Sequence, residues 1–364
     1  MKNKKMTILL ILIVGLSLII SGCSNTSEAE TGGKKIDKIA FFHGGSIADE
    51  GWDMLHHEAM LAIEEKYPDI ETVFVENQPY SADGTRTLEQ LANDGADIIF
   101  ITTEYADIVY EAAEKYPDTV FIECNGHKAE GNVTWWYVEH WDPSYLIGMV
   151  AGLMTETNKL GFIGPFPYST VYTSANAFHM GARSVNPDVE TTVVLVNSWF
   201  DPAAERQAAE ALADSGVDML FGSMNGPAYL EAAEELGIMA AMWTVDMREF
   251  GPDAYISSVK VDWTPYHLKI VDQIINGTFN AADPLLMPIG QGVDRDEWGQ
   301  NVPQDVRDQV EAVREKMLNG EFYPWVGPIY DASGQLRVKE GEKLSSLFLY
   351  QDWDWAVEGV VGFP

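Results

Sequence analysis

The sequence predicts an α/β fold: two doubly wound parallel-sheet lobes joined at a hinge and wrapped by a C-terminal tail. Three observations predict it. From Lys38 onward, short β-branched or apolar runs alternate with helix-period segments, the pattern of parallel βα units. The same order of elements then occurs a second time at a nearly constant offset. The 364 residues, 46% of them hydrophobic, can bury one large core or two ordinary ones.

Ahead of this body stands an export signal. Lys2, Lys4 and Lys5 precede a nearly unbroken apolar run from Met6 to Ile20, a charged n-region followed by an h-region of secretory length. The run is short for a permanent membrane span. It ends in Ile20-Ser21-Gly22-Cys23, which resembles the lipobox of bacterial lipoproteins, where the cysteine becomes the lipidated first residue of the mature chain. An ordinary secretory signal with a chance cysteine is the alternative. The expected division is a signal peptide at 1–22, a lipid on Cys23 holding the chain to the extracytoplasmic face of the cell membrane, and a flexible tether over 23–36, rich in Ser, Thr, Gly and charge.

The first lobe is expected over 37–142 together with about 255–280. Lys38–Phe42, Thr72–Val75, Asp97–Ile101 and Thr119–Glu123 read as its strands, and Trp52–Lys66, Thr85–Asn93 and Ala106–Lys115 as its helices. The helix Ser144–Thr155, with Leu146, Met149, Val150, Leu153 and Met154 on one stripe, carries the chain over to a second lobe at 143–254. There, Lys159–Gly164, Thr192–Val196, Asp218–Gly222 and Ile238–Trp243 read as strands, separated by helices near Thr173–Ser184, Ala203–Asp214 and Pro227–Leu236. Residues echo as well as elements. Leu91-Ala92-Asn93-Asp94-Gly95-Ala96-Asp97 lines up with Leu212-Ala213-Asp214-Ser215-Gly216-Val217-Asp218, and Glu111-Ala112-Ala113-Glu114 with Glu231-Ala232-Ala233-Glu234. A strand at Tyr255–Val259 and a helix at Pro265–Ile275 would return the chain to the first lobe. The tail at 281–364, with one clear helix at Pro303–Leu318, is expected to pack on both lobes.

In open parallel sheets ligands sit beyond the carboxyl ends of the strands, where loops and helix N-termini converge. Two facing lobes therefore define a cleft from sequence alone. Its loops are His43–Trp52, Glu76–Ala82, Thr102–Ala106 and Cys124–His127 in the first lobe, with Gly164–Val171, Asn197–Ala203, Ser223–Pro227 and Thr244–Phe250 in the second. They carry aromatics that a core does not need: Trp52, Tyr80, Tyr105, Phe166, Tyr168, Trp199 and Phe200. A flat ligand is implied. Trp52 opens a helix in one lobe and Trp199 precedes the Asp201-Pro202 helix start in the other, so two indoles could sandwich a heteroaromatic ring, each stack contributing about 1–3 kcal/mol. Packing at the lobe interface is the alternative for either. Asp49, Asn125, Asn225 and Asp246 are the polar loop residues best placed to read ring nitrogens and exocyclic groups. Asp49 and Asp246 are equally readable as helix N-caps.

Composition narrows the function classes. Lys+Arg 23 against Asp+Glu 56 gives a charge of −33, a surface that repels nucleic acid and anionic membranes. Residues 1–22 hold three lysines and no acids, so export leaves 20 basic residues against 56 acidic, a net of −36. Such a surface suits a saline or alkaline habitat, where extra carboxylates keep a protein hydrated. Two cysteines, Cys23 and Cys124, rule out a disulfide scaffold or a Cys-rich zinc site. His56-His57 and His43 lack ligand spacing, so no metal or other cofactor is expected. No phosphate loop, nucleophile elbow or assignable catalytic set is present, and no catalytic residue is expected.

Several stretches together resemble one family. They are Gly51-Trp52, Tyr145-Leu146-Ile147-Gly148-Met149-Val150-Ala151-Gly152, Lys159-Leu160-Gly161-Phe162-Ile163-Gly164, Gly181-Ala182-Arg183-Ser184-Val185-Asn186-Pro187-Asp188, Asn197-Ser198-Trp199-Phe200-Asp201-Pro202, Gly327-Pro328-Ile329 and Trp355-Ala356-Val357-Glu358-Gly359. Over residues 37–364 the chain resembles the basic membrane protein family, substrate-binding lipoproteins of ATP-binding-cassette importers that include bacterial purine nucleoside receptors. The resemblance implies a type I periplasmic-binding-protein-like fold, a cognate permease as partner, and purine stacking on Trp52 and Trp199. In nucleoside-binding members an aspartate that holds the ribose falls at the position of Thr244, and a following lysine aligns with Val261. Asp246-Met247 with Phe250-Gly251-Pro252, and Trp263-Thr264-Pro265-Tyr266, look instead like the purine-base-binding branch.

The expectation is thus an extracytoplasmic receptor, a monomer and not an enzyme, that binds a purine and favours a free base such as adenine over a nucleoside. Its expected ligand-binding residues are Trp52, Trp199, Asp246, Asp49, Asn125, Tyr105, Phe166 and Asn225. A receptor of the same fold for a sugar or autoinducer is the alternative, and a nucleoside-hydrolysing enzyme a more distant one.

Overall fold

A computed structural model of the chain describes residues 33–48 and 51–364. The expected signal peptide, Cys23, residues 24–32 of the tether and Asp49 lie outside the described residues. The first sheet is built around β1 (Lys38–Phe42). Helix α1 (Trp52–Lys66) leads to β2 (Glu71–Val75) on one side, and α2 (Ala82–Asn93) leads to β3 (Ile98–Ile101) on the other. Helix α3 (Asp107–Ala113), β4 (Val120–Cys124) and β5 (Val133–Val138) extend the sheet outward. Strand order is β2-β1-β3-β4-β5, every pair parallel. The near-continuous burial of β1, β3 and β4 explains their largely apolar runs, since helices cover both faces.

Helix α4 (Trp141–Met154) carries the chain across to the second sheet. There follow β6 (Lys159–Gly164), α5 (Ser169–Val185), β7 (Glu190–Leu195), α6 (Pro202–Asp214), β8 (Met219–Gly222), α7 (Ala228–Leu236), β9 (Met239–Thr244) and β10 (Tyr255–Val261). Their parallel order, β7-β6-β8-β9-β10, repeats that of the first sheet. Helices α4 and α5 lie backbone against backbone. A Cβ on Gly148 would stand 2.0 Å from the Phe178 carbonyl oxygen, and one on Gly181 1.9 Å from that of Tyr145, so both positions need glycine.

The expected division between lobes needs one correction. The strand read at Tyr255–Val259 and assigned above to the first lobe runs over Tyr255–Val261 and is the fifth strand of the second sheet, parallel to β9. The matching place in the first sheet belongs to β5, which the sequence reading left without an element. Val133-Thr134-Trp135-Trp136-Tyr137-Val138 has no period-2 alternation because all six residues are buried. The return to the first lobe comes one element later, in α8 (Thr264–Ile275), where Asp272 takes Lys66 Nζ at 2.7 Å and the Tyr67 hydroxyl.

The tail also does more than wrap. Strand β11 (Leu285–Met287) extends the first sheet beside β5, and β12 (Val293–Arg295) runs antiparallel beside β10, a third crossing between lobes. After α9 (Gln304–Leu318) come the antiparallel pair β13 (Ile329–Tyr330) and β14 (Leu336–Val338), helix α10 (Ser346–Gln351), and β15 (Val360–Val361) at the edge of the second sheet beside β7. Buried tryptophans pin this tail. Trp325 Nε1 donates to Asp142 Oδ1 on α4 at 3.0 Å, and the Asn176 amide of α5 pairs with the backbone of Trp355 and Val357 at 2.9 and 3.0 Å.

Candidate functional site

In each sheet the strand order reverses at its first strand, between β1 and β3 and between β6 and β8, and the loops leaving those strands diverge there to leave a crevice. Both crevices contribute to one cavity of about 300 Å³. From the first lobe come Gly44 and Gly45 after β1, Trp52 and Asp53 at the start of α1, Tyr80, Thr103 after β3 and Asn125 after β4. Tyr137 and His140 form its hinge side. From the second lobe come Thr170, Val171 and Ser174 on α5, Trp199 after β7, Ser223 and Asn225 after β8, and Trp243 on β9.

The two indoles are held differently. Trp52 Nε1 donates to the Thr102 carbonyl at 2.7 Å, and its ring meets Trp263 edge-on at 5.1 Å, so it is fixed within its lobe. Trp199 is 39% exposed and leans on Phe166 and Tyr168, each 6.4 Å between ring centroids. Its turn is secured from behind. Asn225 N–H donates to the Trp199 carbonyl at 3.0 Å, Asp201 caps α6 through Ala204 N–H at 3.0 Å, and the buried Glu205 accepts from Asp201 N–H at 3.2 Å. Burial pushes the Glu205 carboxyl up to about 7.

Among the described residues Asp53 is the one carboxylate in the lining, and it is occupied. Its carboxylate accepts from Gly45 N–H at 2.8 Å and from the Thr102 hydroxyl at 2.7 Å, and it lies 3.0 Å from His43 Nδ1. It therefore shapes the loop after β1. Among the described residues no lysine or arginine lines the cavity. His140 is uncharged, because burial lowers it to about 3. Its Nδ1 lies 3.1 Å from Ser174 Oγ, while its Nε2 and the buried Ser223 Oγ have no protein partner. Orphaned polar groups of this kind cost about 1–3 kcal/mol each when dry, so both favour water or a ligand. The lining thus offers flat aromatic faces and neutral hydrogen-bonding groups. Among the described residues no group of His, Cys, Asp and Glu is arranged to hold a metal.

Of the residues expected from sequence, Trp52, Trp199, Asn125 and Asn225 line this cavity. Tyr105 stands one layer behind, buried, with its ring stacked on Tyr80 at 4.1 Å and its hydroxyl donating to the Gln78 carbonyl at 2.6 Å. Phe166 supports Trp199 from outside the lining. Asp246 is not in the cavity. It pairs with Arg248 at 2.7 Å and accepts from Arg248 N–H, two residues on, at 3.0 Å, while Met247 holds the N-cap position of the short turn Arg248–Phe250. Its carboxylate is thus taken up by Arg248, and it is neither in the cavity lining nor at the N-cap position. Thr244, at φ 71, turns its hydroxyl back onto the Trp243 carbonyl at 2.7 Å. Asp49 lies outside the described residues, as does Cys23. Asp53, Tyr137, His140, Ser174 and Trp243 fell outside the cleft loops drawn from sequence. Tyr137 and His140 follow from β5, and recognising that strand would have revealed them.

A family model for PnrA-like ABC transporter substrate-binding proteins, Bmp, matches residues 36–322. A putative ABC transporter glucose-binding protein of Haloferax volcanii is 38% identical over 338 residues, covering 92% of this chain and 82% of its own. A purine-binding protein of Brucella abortus is 33% identical over 308 residues, covering 84% and 88%. Among solved structures, an ABC transporter solute-binding protein from Conexibacter woesei superposes with a TM-score of 0.64 at 21% identity, over 79% of this chain and 98% of that one. That likeness concerns the fold.

Proposed function

The chain belongs to the Bmp family of ABC transporter substrate-binding proteins, and on that premise we propose that it captures an uncharged purine between its lobes, a free base such as adenine in preference to a nucleoside, and delivers it to a cognate permease. It is an extracytoplasmic solute-binding protein of a family of receptors rather than enzymes. The observation that carries the ligand reading is the cavity lined by Trp52 from one lobe and Trp199 from the other, with no Lys or Arg among the described residues of its lining. A stack from each side suits a flat heteroaromatic ring. The missing cation disfavours nucleotides, whose phosphates need charged donors. A volume of about 300 Å³ lies at the small end of ligand pockets and suits one ring system. Two features weigh against a ribose: Thr244 is folded back on its own strand, and Asp246 is bound to Arg248. The purine-binding relative from Brucella abortus supports the same class.

A sugar is the second reading, favoured by the glucose-binding relative, whose identity to this chain is the higher of the two. The neutral amides and hydroxyls of Asn125, Ser174, Ser223 and Asn225 would serve sugar hydroxyls too, and an autoinducer with a sugar-like ring belongs to the same arm. Calorimetric titration with adenine, hypoxanthine, guanine, adenosine and glucose decides. Binding of bases alone supports the proposal. Binding of adenosine with equal or greater affinity removes the preference for a base, and binding of glucose alone overturns the purine reading. We further propose that the receptor works as a monomer held to the membrane by a lipid on Cys23. Metabolic labelling with a fatty acid, lost in Cys23→Ser, is the check.

A further inference from the structure

The family model ends at residue 322, and the chain continues for a further 42 residues. Within that continuation, α10 lies across both lobes beside the cavity. Its backbone is tied to the second lobe: the carbonyls of Leu349 and Gln351 accept from Thr173 Oγ1 at 2.5 Å and Ser169 Oγ at 2.8 Å, both on α5. Its side chains reach the first lobe. Gln351 Nε2 donates to the His127 carbonyl at 3.1 Å, and the Tyr350 ring stacks on Trp135 and packs against Tyr137, each 5.1 Å between centroids. At the end of that ring, the Tyr350 hydroxyl shares its one proton between the Gly126 carbonyl at 2.8 Å and Asn125 Oδ1 at 3.1 Å.

Asn125 is a cavity residue in an unusual conformation. It stands at φ 63, where asparagine is among the few side chains tolerated, and its N–H donates to the Trp136 carbonyl. With its backbone fixed and Oδ1 engaged, the amide N–H₂ is the part left for a ligand. We propose that Tyr350, supplied by the C-terminal continuation, is a positioning residue for ligand binding: it holds the Asn125 amide so that its N–H₂ faces an acceptor on the ligand. Without the hydroxyl the amide turns freely, and a donor fixed in advance becomes one that must be ordered on binding. The proposal rests on the cavity being the ligand site.

A double-mutant cycle tests it, with adenine as probe and glucose where adenine does not bind. Tyr350→Phe keeps the stacked ring and loses only the hydroxyl. Asn125→Gly removes the amide while accepting φ 63 without strain. Tyr350→Phe is expected to weaken binding about three- to tenfold, the scale of one hydrogen bond, and to weaken it no further in the Asn125→Gly background. Ligand-free melting curves confirm that each variant folds. Asn125→Asp, which keeps the acceptor for Tyr350 but has no donor, should bind as weakly as Asn125→Gly, and serves alone if the glycine variant does not fold. Equal weakening by Tyr350→Phe in both backgrounds marks a general structural effect and overturns the positioning role, as does no weakening at all. Unchanged binding in both Trp199→Ala and Asn125→Gly, or binding of neither probe, overturns the cavity reading and the proposal with it.

Discussion

Replacing Trp199 by alanine separates a ligand-stacking indole from a packing one, because the structure assigns the two roles different costs. Trp199 is 39% exposed and its ring neighbours, Phe166 and Tyr168, are 6.4 Å away between centroids. Truncation therefore opens no sealed cavity, and the ligand-free protein should lose less than about 1 kcal/mol, against about 3–5 kcal/mol for a tryptophan in a closed core. Binding should suffer more. One aromatic stack is worth about 1–3 kcal/mol, which is roughly a 5- to 150-fold rise in Kd. Trp52 is a poorer probe, since its Nε1 bond to Thr102 and its contact with Trp263 mix stability into the result. The assay is calorimetric titration with adenine beside thermal melting without ligand. A Kd unchanged within about twofold, together with a clearly lowered melting temperature, would refute the stack and make Trp199 an interface residue.

Other outcomes follow from the same geometry. With no Lys or Arg among the described residues of the lining, adenine affinity should stay within about twofold between about 0.1 and 1 M salt; a steep fall would reveal a charged contact at the site. Asp246→Asn should leave the Kd unchanged, because its carboxylate pairs with the Arg248 side chain and N–H outside the cavity; a loss of affinity would return Asp246 to the site. Stability should fall as pH rises from about 4.3 to 8 through Glu123, whose carboxyl burial pushes up to about 8, so that its contribution is complete below about 4.3 and lost as pH rises through 8. At about 1.4 kcal/mol per pKa unit, Glu123→Gln should gain about 3–4 kcal/mol relative to the parent between pH 5 and 8, read from denaturant curves, and a constant difference would refute the assignment. The opposite sign applies to His140 and His267, which burial lowers to about 3: what they contribute above about 6.5 is lost as pH falls through 3, closing the stable window from the acid side.

Much of this fold could be read from the sequence, because parallel strands covered on both faces leave apolar runs that turns and helices separate cleanly. The runs at Lys38–Phe42 and Lys159–Gly164 are strands over those same residues, and Trp52–Lys66 is a helix. Strand β5 was hidden because its six residues are all buried, which erases alternation, and two tryptophans in succession carry no period. Its loss moved β10 into the wrong lobe and concealed Tyr137 and His140. The site was legible where residues sit on loops directly after strands, as Trp199, Asn125 and Asn225 do. It was not legible where the choice depends on a neighbour in space: Tyr105 lies behind Tyr80, Asp246 turns to Arg248, and Ser174 reaches the cavity from the second turn of a helix. Tyr350 lies 225 residues from Asn125, and only the folded tail brings them together.

The division of the lining between lobes also bears on how binding could be reported to a permease. A ligand shifts a conformational equilibrium only by the difference in its affinity for the two states, so contacts made within one lobe alone would leave the lobe angle untouched. Here the first wall carries Gly44, Trp52, Tyr80 and Asn125 on first-lobe loops, and the second wall, with Ser174, Trp199, Ser223 and Asn225, is what closure would add. Moving a two-state equilibrium from 1:99 to 99:1 takes about 5.5 kcal/mol. One stack on Trp199, about 1–3 kcal/mol, falls short. Two or three hydrogen bonds at about 0.5–1.5 kcal/mol each bring the total to that scale, and Ser223 and His140 hold unpartnered polar atoms ready to make them. Closure would then depend on the polar groups of the second wall as much as on its indole, and a ligand that stacks without bonding them would be bound but not presented.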